Sequence, residues 1–307
     1  MAVPVIDLSK LEGTERAATM TEIASACEEW GFFQLVNHGI PLDLLDRVKK
    51  VCSECYKMER EEGFKDSKAV QLLNGIIDSG EACKTLDDVD WEDVFILQDD
   101  NQWPSNPLQF KETMKEYRLE LKKLAEKMLN ILEDNLGLSK GYIKQTFSGN
   151  GNHNPFFGTK VSHYPPCPRP DRVGGLRNHT DAGGLILLFQ DDKVGGLQVL
   201  KNGQWFDVQP LANTIVINNG DQIEVISNGR YKSALHRVLA SANGNRRSVA
   251  SFYNPALEAV IEPAVISGGG NVEKAGYPRF AFGDYMEVYA KQKFMDKELR
   301  FQSIGIN

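Results

Sequence analysis

The stretch Arg177-Asn-His179-Thr-Asp181-Ala-Gly-Gly-Leu-Ile-Leu-Leu-Phe-Gln190 places two potential metal ligands just ahead of a glycine break and a continuous apolar run. Side chains at i and i+2 share one face of an extended chain, so the His179 imidazole and the Asp181 carboxylate are expected to project together from a strand mouth. His236 opens another β-rich run, His-Arg-Val-Leu, 55 residues after Asp181. That separation can return a second imidazole on a partner strand of the same barrel. Two imidazoles and one carboxylate hold a ferrous ion and leave positions open for substrate and oxygen. Alone the pattern is weak. With 5 histidines and 42 acidic residues in 307, a His-x-acid triplet arises readily by chance, and ordinary loop and core polar residues would read the same way.

A second constellation shifts that balance. Arg246-Arg-Ser248-Val-Ala250-Ser-Phe252-Tyr reads as a strand of period two, with Arg246, Ser248, Ala250 and Phe252 on one face. Small and aromatic residues suit the inward side of a small barrel, where a guanidinium needs an anionic partner. A carboxylate fits, because arginine takes one through two parallel hydrogen bonds and the Ser248 hydroxyl can add a third. The alternative is a surface arginine on an edge strand, paired with a nearby acid or with nothing.

The rest of the chain divides into a helical first part and a strand-rich second part. A strand is expected over residues 3–8. Met20, Ile23, Ala24 and Cys27 mark an amphipathic helix ending near Trp30-Gly31, and Phe32-Phe-Gln-Leu-Val36 reads as a strand. His38 lies in an Asn-His-Gly-Ile-Pro turn, which favours structural hydrogen bonding over metal ligation. Residues 58–107 read as polar and irregular, with Trp91 and Phe95 as anchors. A long helix follows, carrying Met114, Tyr117, Leu121, Leu124, Met128 and Ile131 on one stripe and ending at Gly137. From Phe157 onward eight short β runs are expected, at 159–164, 185–190, 197–200, 205–208, 214–217, 223–226, 236–239 and 247–253. Turn pairs such as Asn202-Gly203 and Asn228-Gly229 separate several of them. Eight such strands imply a double-sheet jelly roll, an α+β, mainly β fold with flanking N-terminal and C-terminal helices. We divide the chain into segments 1–105, 106–154, 155–260 and 261–307, packed as one unit. Gly268-Gly-Gly270 is expected to be a flexible loop and 284–294 a helix.

Composition sets limits on function. A net charge of −7 and the absence of any basic block disfavour nucleic acid and anionic membranes as partners. There is neither a signal-peptide pattern nor an apolar stretch of about 18 residues, so a cytoplasmic protein is expected. The 5 cysteines are an odd number and imply reduced thiols. Cys52-x-x-Cys55 has the form of a redox or zinc pair, but no second pair exists, and its helical spacing with Leu44, Leu45 and Val48 points to a buried helix face.

His-Thr-Asp…His…Arg-x-Ser occurs here together with Asn37-His-Gly-Ile-Pro41 and Tyr164-Pro-Pro-Cys-Pro168. The set resembles the plant iron(II) and 2-oxoglutarate-dependent dioxygenase superfamily. Within it, Phe157-Gly-Thr-Lys160, the run from His179 to Lys193, Gly220-Asp-Gln-Ile-Glu-Val and Asn228-Gly-Arg-Tyr-Lys-Ser233 resemble the 1-aminocyclopropane-1-carboxylate oxidase branch, and the similarity extends over nearly the whole chain. The resemblance implies Fe(2+) held by His179, Asp181 and His236, ascorbate as cosubstrate, and bicarbonate or CO2 as activator. It implies 1-aminocyclopropane-1-carboxylate and O2 as substrates, converted to ethylene, carbon dioxide and cyanide by a monomer. Lys160, Arg177, Arg246, Ser248 and Arg300 are then the catalytic polar groups, and Tyr164, Ile186, Phe189 and Phe252 the apolar wall. Asn178 departs from the alanine expected in that family, which bears on efficiency more than on iron binding. Two rival readings share the barrel: a 2-oxoglutarate-dependent hydroxylase or desaturase, and a non-catalytic small-molecule binding protein.

Overall fold

The computed structural model describes residues 1–80, 84–265 and 276–305. The chain begins with β1 (Val5–Asp7), followed by α1 (Arg16–Glu29), which buries Ile23, Ala26 and Cys27. Gly31 then turns the chain at φ +66, where a Cβ would collide with the Lys232 carbonyl, so only glycine fits. β2 (Phe32–Val36) is followed by α2 (Leu42–Cys55), whose buried face includes Leu44, Leu45, Val48, Cys52 and Cys55. The Cys-x-x-Cys pair is thus part of a packed helix face.

Residues 58–107 are more ordered than their polarity suggests. They contain α3 (Glu61–Lys65), α4 (Lys68–Ser79) and β3 (Asp93–Leu97). The Ser67 side chain caps the start of α4 by accepting from Val70 N–H, and Gly80, in the left-handed region, ends it. Ala69, Leu73 and Ile76 are the buried side of this helix, and its apolar run of Ala69, Val70, Leu72, Leu73, Ile76 and Ile77 is overlooked because the flanking segments are polar. The long α5 (Phe110–Leu136) buries the expected stripe and ends at Gly137 with φ +72. It lies against α2 and against the jelly-roll sheet, and α6 (Tyr142–Phe147) follows it.

Two sheets make the barrel. β4 (Phe156–Tyr164), β5 (Gly174–His179), β6 (Leu185–Gln190), β7 (Leu197–Lys201), β8 (Gln204–Asp207) and β9 (Ile215–Asn219) come first. The six-residue α7 (Asp221–Ile226), β10 (His236–Leu239) and β11 (Arg246–Asn254) complete it. The larger sheet has the order β1-β2-β9-β6-β11-β4-β3, and the smaller one β5-β10-β7-β8. A short pair, β12 (Val260–Ile261) and β13 (Phe280–Ala281), leads into α8 (Phe282–Gln292) and α9 (Lys297–Ile304).

Two expectations need correction. Residues 223–226 are helical, not extended: Asp221 and Gln222 donate their N–H groups back to the carbonyls of Asp181 and Gly183, which wraps the segment around the ligand loop. The apolar Ile-Glu-Val-Ile run hid this, because α7 is buried on every side and has no polar face to betray a helical period. Conversely β5, a Gly-Gly-Leu-Arg-Asn-His strand, carries no strand signal beyond its pairing with β10. The expected loop at Gly268–Gly270 lies outside the described residues.

Candidate metal centre

Each ligand is positioned by a different piece of backbone. His179 ends β5, Asp181 sits in the loop before β6, and His236 begins β10, directly opposite His179 in the antiparallel register. One ligand atom from each of the three lies within 4.8 Å of the others, and all three residues are buried. His179 Nε2 is 3.7 Å from one Asp181 oxygen and His236 Nε2 is 3.6 Å from the other.

The donor set fits a divalent cation. His179 Nδ1 lies 2.8 Å from the Arg177 carbonyl and His236 Nδ1 lies 3.0 Å from the Ala234 carbonyl. A carbonyl only accepts, so both Nδ1 atoms carry the proton and both Nε2 lone pairs turn toward Asp181. Asp181 is oriented in turn by Asn218, whose amide donates to Oδ2 at 2.8 Å. Burial, with His236 and Lys293 nearby, holds the His179 imidazole well below its ordinary pKa, which keeps it neutral and able to ligate.

The ligands form one end of a cavity of about 60 Å³ between the two sheets. Lys160, Tyr164, Ile186, Arg246, Ser248 and Phe252 line it, and Phe32, Leu188, Asn218 and Ala250 are among its other walls. At the far end Arg246 is 2% exposed. Its Nη2 donates to Gln190 Oε1 at 3.2 Å and its guanidinium lies 5.2 Å from the Tyr164 ring centre. Nε and Nη1 are buried without a hydrogen-bond partner. Burial depresses this guanidinium's pKa, while Tyr164, Asp191 and Glu92 oppose the shift. Leaving such donors unpaired costs free energy unless an anion meets them.

Glu92 ties the side wall together. It accepts from Tyr164 Oη at 2.6 Å and pairs with Lys160 Nζ at 2.8 Å. Sequence reading missed it, along with Asn218 and Gln190. Glu92 lies in the segment read as irregular, and only Asn218, at the polar end of an apolar strand, carried a local hint.

Three of the expected site residues lie elsewhere. Phe189 faces away from the cavity and packs with Tyr117 of α5 in the helix-side core. Ile186 and Phe189 are three apart on β6, so the alternation of a strand puts them on opposite faces. Arg177 lies outside the cavity, bonded to Asp90 at 3.0 Å, with its guanidinium 3.7 Å from the Phe294 ring centre. Phe294 in turn meets the His179 ring edge-on at 6.3 Å. Arg300 is fully buried behind the ligand loop, against Thr180 and Asp221.

The model of the 2OG-Fe(II) oxygenase superfamily matches residues 156–255, and that of the non-haem dioxygenase in morphine synthesis N-terminal region matches residues 3–117. A 1-aminocyclopropane-1-carboxylate oxidase of Musa acuminata is 68% identical over 99% of both chains. 1-Aminocyclopropane-1-carboxylate oxidase 5 of Arabidopsis thaliana is 64% identical over 99% of both chains. Among solved structures, JOX2 in complex with 2OG, Fe and JA superposes with a TM-score of 0.81 at 30% identity, over 99% of this chain and 89% of that one. The rice dioxygenase for auxin oxidation, at 22% identity and a TM-score of 0.77 over 98% and 99% of the two chains, shares the fold.

Proposed function

The chain belongs to the 1-aminocyclopropane-1-carboxylate oxidase family within the 2OG-Fe(II) oxygenase superfamily, and from that premise we infer how its cavity works. It is a non-haem iron oxidoreductase that converts 1-aminocyclopropane-1-carboxylate to ethylene. Fe(2+) is its metal, and His179, Asp181 and His236 are the residues that would hold it. When bound, the ferrous ion would supply open positions for substrate and the redox chemistry of oxygen activation.

The observation that carries the reading of the cavity is the pair of unpartnered Arg246 donors facing the same small space as the metal ligands. In our reading Arg246 and Ser248 hold bicarbonate or a small carboxylate, and ascorbate delivers electrons at the same mouth. The Lys160–Glu92–Tyr164 network keeps the wall polar without presenting a free charge, and Phe252, Ile186 and Leu188 keep water from the ring that opens. A space of about 60 Å³ suits roughly four to six water-sized groups. That is the scale of a small amino acid. Among the described residues no helix is long and apolar enough to cross a membrane, and the four described cysteines are buried and unpaired, which supports the cytoplasm as the compartment.

The test is headspace ethylene from purified protein given iron(II), ascorbate, bicarbonate and 1-aminocyclopropane-1-carboxylate, run beside 2-oxoglutarate consumption. Ethylene without succinate is expected. Stoichiometric succinate without ethylene would replace this reading with that of a 2-oxoglutarate-dependent hydroxylase.

A further inference from the structure

The back of the ligand loop, the side the cavity does not reach, is gripped by the two C-terminal helices. Thr180 stands between the ligands His179 and Asp181 and is 2% exposed. Its hydroxyl accepts from Arg300 Nη2 at 2.6 Å and donates to Asp221 Oδ2 at 3.3 Å. Its carbonyl accepts from the Tyr289 hydroxyl at 2.8 Å. Asp221 also accepts from Tyr285 Oη at 2.7 Å, and its own N–H donates to the Asp181 carbonyl at 2.8 Å. Three residues earlier on α9, Lys297 Nζ donates to Glu224 Oε2 at 2.6 Å and to the Ser233 carbonyl at 2.8 Å. Glu224 accepts from Ser233 N–H at 2.6 Å and from Tyr277 Oη at 2.9 Å. Ser233 lies three residues before His236 in the chain.

Residues at i and i+3 share one side of a helix. Lys297 and Arg300 therefore reach, from a single turn of α9, the two chain segments that carry all three ligands. We propose that they are positioning residues, Arg300 acting through Thr180 and Lys297 through Ser233, so that the C-terminal helix sets the spacing of the metal ligands. The proposal rests on the reading of His179, Asp181 and His236 as an iron site, but gives Arg300 a task different from anion binding. Arg300 Nε and Nη1 also lack a hydrogen-bond partner, but Nη1 lies 3.5 Å from the Asp221 carboxylate, and the geometry favours positioning: Arg300 has 0% exposure, is absent from the cavity wall, and is separated from the ligand atoms by Thr180 itself. Ligand atoms must be held to within about 0.5 Å of the productive arrangement, and loss of an outer partner typically weakens metal binding about 10–100-fold.

The experiment is titration of the metal-free, full-length protein with Co(II), whose visible absorption reports ligand geometry, with thermal melts confirming that each variant is folded. Thr180→Val keeps the side-chain shape and loses the hydroxyl, and should weaken Co(II) about 10–100-fold and shift the spectrum. Thr180→Ser should restore both. Lys297→Met should weaken Co(II) in the same way and Lys297→Arg should recover it. Ethylene assays at saturating metal should show Arg300→Lys with the bicarbonate requirement of the wild type. Unchanged Co(II) affinity and spectrum in Thr180→Val and Lys297→Met would overturn the proposal. So would an Arg300→Lys protein that needs more bicarbonate while binding Co(II) normally, which would make Arg300 an anion site. If Arg300→Lys does not fold, the Thr180 pair decides the matter. A wild type that binds Co(II) normally yet makes no ethylene would defeat the functional reading and leave the positioning role standing.

Discussion

The two ends of the cavity are built to opposite rules. At the metal end every ligand is held from behind: two imidazole N–H groups meet carbonyls, and Asp181 meets Asn218, so the only free valences are lone pairs aimed at one point. At the other end Arg246 has one partner, Gln190, and two buried N–H groups with none. The first end turns lone pairs toward a cation and the second turns N–H donors toward an anion. In our reading a small amino acid, with bicarbonate beside it, lies between the two. The contrast teaches where to look for function in such a fold: in the polar valences that the protein leaves open.

The largest effect should come from damaging the complete end. His179→Ala, His236→Ala or Asp181→Glu should abolish stoichiometric metal binding and reduce ethylene to background, because two ligands, or a carboxylate displaced by one methylene, do not hold a labile ferrous ion. Metal analysis and headspace ethylene check this, and near wild-type activity in any of the three would break the comparison at its stronger end. The same end should respond to metal alone. Since a ligand that binds only the folded state stabilises it by about 2.7 kcal/mol at 100 times its Kd, adding iron(II) under anaerobic conditions should raise the Tm of the wild type and leave that of His236→Ala unmoved.

A smaller effect is expected at the open end. Arg246→Lys keeps the charge and loses the two-pronged geometry, a change worth about 1.5–3 kcal/mol, so half-maximal ethylene formation should need roughly ten-fold or more extra bicarbonate or amino-acid substrate. Added 2-oxoglutarate should stimulate neither protein. An unchanged requirement would show that the unpartnered donors are not the anion site. The smallest effect tests the strand faces between the ends. Phe252→Leu should change the substrate requirement with little effect on stability. Phe189→Leu should do the reverse, lowering stability by about 0.5–3 kcal/mol with an unaltered substrate requirement, as denaturant melts and kinetics would show.

Much of this was legible along the chain. The His-x-Asp spacing and the distant His236 identified the ligands, and the period of two placed Arg246, Ser248, Ala250 and Phe252 on one face, as they are. The same period separates Ile186 from Phe189, and pairing them in one wall overrode a rule the residues already carried. Other misses had little local signal, Asn218 at the polar end of an apolar strand being the one with a hint. Glu92 enters from the segment read as irregular, Asn218 meets Asp181 across 37 residues, and Phe294 meets His179 from the turn between α8 and α9. The α7 segment misled for a different reason: burial on all sides erases the periodicity by which helix and strand are told apart.

By itself the sequence determined the chemistry of the ligands, the class of fold and the sidedness of β11, because these follow from residue type and from a backbone repeat of two to four residues. Tertiary structure alone decided which space each buried donor faces and which carboxylate stands beside it. Arg246 and Arg300 are both buried guanidiniums whose Nε and Nη1 lack a hydrogen-bond partner, yet packing sets Arg300 against Thr180 and the Asp221 carboxylate and leaves Arg246 facing the cavity. The difference arises from partners more than fifty residues away, whose approach is set by how helices and sheets close over one another and leaves no trace in local pattern.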